Sequence, residues 1–210
     1  MRHGESAHNP HVSLGKRLQK EGVELERAAQ LLATGRGMLN PGLTEAGYEQ
    51  AQAVRAAFRA KNARFDLVVT TPLARTIETT RIVAVGFADR ILVTPELCET
   101  ADENLGGPQR GYSLQRTLEA YPYLSTWDTS HIRERGTAPN WVQGAPISLE
   151  PTGQGFYNPR SVEERLSEVI AWLRDLREQR VLIIGHSGVL NRILGRQTRN
   201  CECIEHELPG

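Results

Sequence analysis

The sequence predicts a single α/β domain built on a mainly parallel β-sheet, and three observations lead there. Short apolar, β-branched runs of strand length occur at Phe65–Thr70, Ile91–Thr94 and Val181–Ile184. Between them lie stretches in which apolar residues recur every three or four positions, the period of a helix. Strands that alternate with helices, rather than with tight hairpin turns, give parallel neighbours joined by crossovers. A chain of 210 residues can bury a sizeable core without disulfides or metals, so one domain is expected over residues 1–210.

The elements follow in order. From Ser13 to Ala33, Leu14, Leu18, Leu25, Ala28, Ala29, Leu31 and Leu32 keep mostly helical spacing, broken at Gly22, which predicts one or two helices. After the breakers Asn40, Pro41 and Gly42, Thr44 can cap a helix with Ala51, Val54 and Phe58 on its inner face and an end near Ala60. The strand Phe65–Thr70 then leads through Thr71 and Pro72 into a helix carrying Ile77, Ile82 and Val83. Ser161-Val-Glu-Glu164 is a capping-box pattern, opening a helix with Val162, Leu166, Val169, Ile170, Leu173 and Leu176 on one face. The last strand, Val181–Ile184, runs through Gly185 and His186 into the helical stretch Gly188 to Leu194. Between Asp102 and Phe156, Gly, Pro, Tyr and Trp are frequent and periodicity is weak beyond a helix at Ser113 to Ala120, which predicts a long excursion near the site.

Composition narrows the function. Lys plus Arg and Asp plus Glu are 25 each, so overall charge points to neither nucleic acid nor a membrane surface as partner. Three cysteines do not make a secreted disulfide framework, and Cys201 and Cys203 lack the second pair of a zinc site, which predicts a reducing, cytoplasmic setting and no metal. No apolar stretch resembles a signal peptide or a membrane anchor.

The chemistry gathers at strand ends. His3 and His186 both sit beside small residues at expected strand ends, where ligands of open α/β sheets bind, so the two imidazoles can face one pocket. A phosphate ester is doubly anionic near neutral pH, and guanidinium groups bind its oxygens in pairs, which makes Arg2 and Arg75 the candidate cations. Arg75 lies in Thr71-Pro-Leu-Ala-Arg-Thr76 at a helix opening, where free backbone N–H groups also favour anions. Neutral imidazole attacks phosphorus well, which makes His3 the candidate nucleophile. A leaving alkoxide needs a proton, and Glu99, just past a strand, is the candidate donor. The plain alternatives are hydrogen-bonded structural histidines, a surface cation at Arg75 and a solvated carboxylate at Glu99, among Glu96, Asp102 and Glu103.

Arg2-His-Gly-Glu-Ser6 with Asn9 resembles the first signature of the phosphoglycerate mutase-like, or histidine phosphatase, superfamily. Leu43-Thr-Glu-Ala-Gly47 is similar to that family's helix opening, Thr71-Pro-Leu-Ala-Arg-Thr76 to its second phosphate-binding arginine segment, Leu97-Cys-Glu99 to its acid, and Gly185-His-Ser-Gly188 to its second histidine. One such match is weak, whereas five in order across nearly the whole chain are specific. The resemblance implies a three-layer α/β/α sandwich and a metal-independent, cofactor-free phosphatase acting on a small phosphomonoester. It further implies that His3 is phosphorylated, that Arg2, Arg75 and His186 complete the phosphate pocket, that Asn9 and Ser187 lie beside it, and that Glu99 donates the proton.

The chain also departs from the family. A hydrophobic strand precedes Arg-His-Gly in the family, whereas only Met1 precedes Arg2 here, so the first strand is expected to be truncated and the coding sequence to extend upstream. The Asn9 to Leu43 segment is longer than in the glycolytic mutases, and nothing after Glu99 matches their Arg-x-Tyr-Gly grip on a second phosphate. That favours phosphatase over mutase. The rivals are a phosphoglycerate mutase-type phosphotransferase and an inactive member that binds a protein partner through the 102–156 excursion. Arg110, Arg116, Arg133, Arg135, Trp127 and Trp141 are the rim residues available to a substrate. Substrate identity and oligomeric state do not follow from sequence.

Overall fold

The computed structural model describes residues 1–99, 111–112, 114–131 and 162–207. Along the chain run α1 (His8–Glu21), α2 (Leu25–Gly37), α3 (Glu45–Ala60), β1 (Phe65–Thr70), α4 (Ala74–Ala84), β2 (Ala88–Val93), α5 (Leu114–Ala120), α6 (Val162–Arg174), β3 (Val181–Ile184) and α7 (Ser187–Leu194). Short 3-10 turns occupy Pro95–Leu97 and Pro122–Thr126. The three strands form a parallel sheet in the order β2-β1-β3.

Alternation along each strand explains the layers. Side chains of successive strand residues point to opposite faces. Val68 of β1, Ile91 and Val93 of β2, and Leu182 and Ile184 of β3 join one apolar cluster with Ala51 and Phe58 of α3 and Ile77 and Val83 of α4. Their neighbours Leu67, Val69 and Leu92 join a second cluster with Leu166, Val169 and Leu173 of α6 and Val189 of α7. Helices therefore cover both faces of the sheet, and strands buried on two sides read as continuous apolar runs. The expected α/β/α sandwich is present.

Two element starts lie well before the sequence reading. The first helix begins at His8, not near Ser13. Its opening turn, His8-Asn-Pro-His11, is polar and so carries no apolar period, and Pro10 is tolerated there because a first-turn residue needs no N–H partner. Gly22, at φ 69°, ends α1 in the left-handed conformation, and α2 folds back on it with Leu32 and Ala28 against Gly15. Strand β2 begins at Ala88 instead of Ile91, because its exposed residues Asp89 and Arg90 hide the strand pattern.

The N-terminal residues extend the sheet by a short parallel pairing. Arg2 bridges to Gly185, the N–H of Gly185 donates to the carbonyl of Met1, and that of His3 to the carbonyl of Gly185. The Met1 ammonium is buried and donates to the Ile183 carbonyl at 2.7 Å. On the other side of this segment, Cys201 N–H reaches the carbonyls of Arg2 and His3, and Asn200 Nδ2 donates to the His3 carbonyl. Because all these strands are parallel, the segments after β1, β2 and β3 and the stretch from His3 onward leave the sheet at one edge.

Candidate active site

Four chain segments build the site at that edge. Arg2 and His3 come from the N-terminal pairing, Arg75 from the first turn of α4, Glu99 from the turn after β2, and His186 from the junction of β3 and α7. The His3 and His186 rings lie 5.2 Å apart between centroids, tilted by 60°. Both are buried, at 2% and 0% exposure.

Hydrogen bonds fix the state of each ring. Nδ1 of His3 lies 2.6 Å from the Gly4 carbonyl oxygen. A carbonyl can only accept, so Nδ1 carries the proton and Nε2 keeps its lone pair. Nε2 of His186 meets the Thr71 hydroxyl at 2.9 Å, while its buried Nδ1 has no partner among the described residues. The Thr71 hydroxyl is in turn 2.7 Å from that of Thr76, which anchors this relay at the start of α4. Burial first, then the nearby charge of Arg75, holds both imidazoles well below the ordinary histidine range. They are neutral at neutral pH.

Both cations lie within the field of Glu99. Arg75 is 1% exposed, and burial lowers its pKa to about 10 while the charge of Glu99 opposes that shift. It remains a cation near neutral pH. Arg2 donates from Nη1 to the Thr198 carbonyl at 2.9 Å, and its buried Nε has no partner among the described residues. Burial lowers its pKa, and Glu99 acts against that as well. Orphaned buried polar atoms are uncommon in folded proteins. Glu99 Oε1 accepts from the N–H of Gly188, in the first turn of α7, at 3.0 Å.

The segment that carries His3 is pinned by two helices. Gly4 N–H donates to the Thr79 hydroxyl of α4, and Glu5 is bound through its carbonyl by Thr44 N–H and through Oε1 by the Thr44 hydroxyl. Thr44 also caps α3 by accepting from Gly47 N–H. A Cβ on Gly4 would fall 2.7 Å from the Gly47 carbonyl oxygen, so backbone meets backbone here and neither glycine can be replaced freely. The first turn of α4 is closed from a distance: Ala74 N–H donates to the side chain of Asn40, itself at φ 45°.

A sequence profile of the histidine phosphatase superfamily, branch 1, matches residues 1–202. The chain belongs to that superfamily. No curated protein sequence gives a match. Several solved structures are similar to this chain. An alpha-ribazole phosphatase from Shigella flexneri is 22% identical, with 93% of this chain and 78% of that one covered and a TM-score of 0.48. An ecdysone phosphate phosphatase from Bombix mori, in complex with tungstate, is 16% identical over 92% of this chain and 74% of its own, with a TM-score of 0.48. A phosphoserine phosphatase from Entamoeba histolytica is 15% identical, covering 92% and 76%, with a TM-score of 0.42.

Within this member of the histidine phosphatase superfamily, the structure brings His3, His186, Arg2, Arg75 and Glu99 into one neighbourhood. Asn9 plays a local part: its Oδ1 accepts from the N–H and hydroxyl of Ser6, which shapes the turn into α1. The Ser187 hydroxyl accepts from Asn191 one turn along α7. Trp127 is not a rim residue, because it is packed in the core against Tyr123. Arg116 stacks over Tyr112 at 4.1 Å. Arg110, Arg133, Arg135, Trp141 and most of the 102–156 excursion lie outside the described residues.

Sequence reasoning missed His8 and gave Thr71 no role. His8 binds the Ser6 hydroxyl through Nδ1 at 3.0 Å. Burial and then the charges of Arg75 and Arg2 press its pKa down to about 3, which places it in the same positive field as His3. Its position inside the Arg2 to Asn9 segment was the available signal. Thr71 could have been found as the first hydroxyl after β1, at the strand end where ligands gather.

Proposed function

We propose that this chain is a metal-independent phosphatase that hydrolyses a small phosphomonoester through a phosphohistidine on His3. The single observation that carries the proposal is the state of His3: its Nδ1–H is committed to the Gly4 carbonyl, and its neutral Nε2 stands beside His186 in the field of two arginines. Nε2 attacks phosphorus, forming the N–P bond as the P–O ester bond breaks. Arg2, Arg75 and the open Nδ1 side of His186 hold the phosphoryl oxygens, where fixed donors stabilise developing charge most. Asn9 and Ser187 line the approach. Glu99 gives its proton to the leaving oxygen and, as carboxylate, takes one from the water that next attacks phosphorus. The N–P electrons then return to Nε2.

Unbridged Cys98, Cys201 and Cys203 are compatible with a reducing, cytoplasmic setting, and the continuity of both apolar layers supports one domain over residues 1–210. No described helix is long and apolar enough to cross a membrane.

The test is to incubate the protein with phosphorylated sugars, glycerates, nucleotides and phosphopeptides, quench in base, and map the adduct by mass spectrometry. The expected result is released phosphate with an acid-labile, base-stable phosphoryl group on His3. Unchanged labelling and turnover in His3→Ala protein overturns the proposal.

A further inference from the structure

Helix α6 buries an arginine where its period calls for an apolar residue. Leu166, Val169 and Leu173 pack into the layer beneath the sheet, and Arg165, next to Leu166, is 1% exposed. A guanidinium in such surroundings is costly unless its donors are met. Its Nη1 donates to the carbonyl of Glu96 at 2.8 Å and to that of Cys98 at 2.9 Å. Those two carbonyls flank Leu97, which is itself fully buried in the same apolar layer. One side chain thereby clasps the turn Pro95–Leu97 at both ends of its last residue.

Glu99 is the next residue along. Its carboxylate is held from the other side by Gly188 N–H of α7. The acid is thus fixed at two points that belong to different helices: its backbone approach to α6, its oxygen to α7. We infer that Arg165 is a positioning residue that sets Glu99 against the leaving oxygen of a bound phosphoester. Arg165 acts through Glu99 and does not touch the substrate. This inference rests on the reading of Glu99 as the proton donor. The planar guanidinium suits the task because it is less strongly hydrated than an ammonium and spans two acceptors from a rigid frame.

The experiment compares the full chain with Glu99→Gln, Arg165→Met, Arg165→Lys and the Glu99→Gln/Arg165→Met double variant. Each preparation turns over an alkyl phosphate, whose leaving group needs a proton, and p-nitrophenyl phosphate, whose leaving group departs without one. The ratio of the two kcat/KM values is independent of the fraction of protein that is folded. Arg165→Met is expected to lower the alkyl-to-aryl ratio by about 10- to 100-fold, the cost of misplacing a reacting group by about 1 Å. Arg165→Lys lowers it less, and the double variant matches Glu99→Gln alone, because residues acting as a unit are not additive. If Arg165→Met does not fold, Arg165→Lys decides by the same ratio. A ratio that falls in Glu99→Gln but stays unchanged in the arginine variants overturns this inference and leaves the proposed mechanism standing. A ratio unchanged in Glu99→Gln removes Glu99 as the acid, and with it the role of Arg165.

Discussion

At the scale of single residues, the site holds three histidines that stay neutral to lower pH than they would in solution. His3 and His186 lie well below the usual 6.5, and His8 is depressed to about 3, with burial the first cause in each case and Arg75 the second. In the unfolded chain all three take up protons near pH 6.5. Below that value the unfolded state therefore binds more protons than the native one. The stability these groups contribute is present above about pH 6.5 and is lost as pH falls toward their folded values. Thermal denaturation should show Tm falling steeply between about pH 6.5 and about pH 4, with a shallower slope in His8→Gln. An unchanged slope in that variant would show that His8 is not held neutral by the fold. His3, Arg75 and His186 were legible in the sequence because each follows a strand or opens a helix within a short motif. His8 also opens a helix, but the polar first turn of α1 leaves that opening without an apolar period. Arg165 was hidden for another reason: its partners are carbonyls 69 and 67 residues away.

At the scale of elements, helix and strand cores were legible while their first turns were not. Periodicity reports the buried face, so β1 and β3 were found end to end, whereas exposed Asp89 and Arg90 concealed the start of β2. Caps supplied from afar leave no local trace, as where Asn40 closes the first turn of α4. Gly47 makes the same point. By propensity it weakens α3, yet a Cβ there would overlap the Glu5 backbone, on the segment that delivers His3. Gly47→Ala should cost about 1–3 kcal/mol, the usual range for overpacking, and lower turnover as well. Gly37→Ala, with nothing within 4 Å of the added carbon, should be neutral. Equal Tm values for the two variants, read by calorimetry, would contradict the close approach.

At the scale of the whole molecule, alternating strands and helices sufficed to predict the sandwich, because parallel pairing between sequence-distant strands needs crossovers that cover both faces. That His3 ends a short strand was legible from the motif, but its pairing with β3 was not, since no local pattern specifies which strand three residues will join. That pairing has a consequence for the order of assembly. Hydrogen bonds from Met1 to Ile183 and from Arg2 to Thr198 span 182 and 196 positions, so all the chain between them must be looped before they form. Contacts at such separation carry the largest closure entropy and accumulate late in folding. On refolding from denaturant, helical circular dichroism should return first, and vanadate binding, which under the proposed mechanism needs His3 and Arg2 in place, should return in a separate slower phase. Simultaneous recovery of the two signals in stopped-flow traces would mean that the ends meet early. With a lag, the last event of folding is the appearance of the proposed nucleophile, and on that reading a partly folded chain holds no reactive histidine to spend on the wrong phosphate.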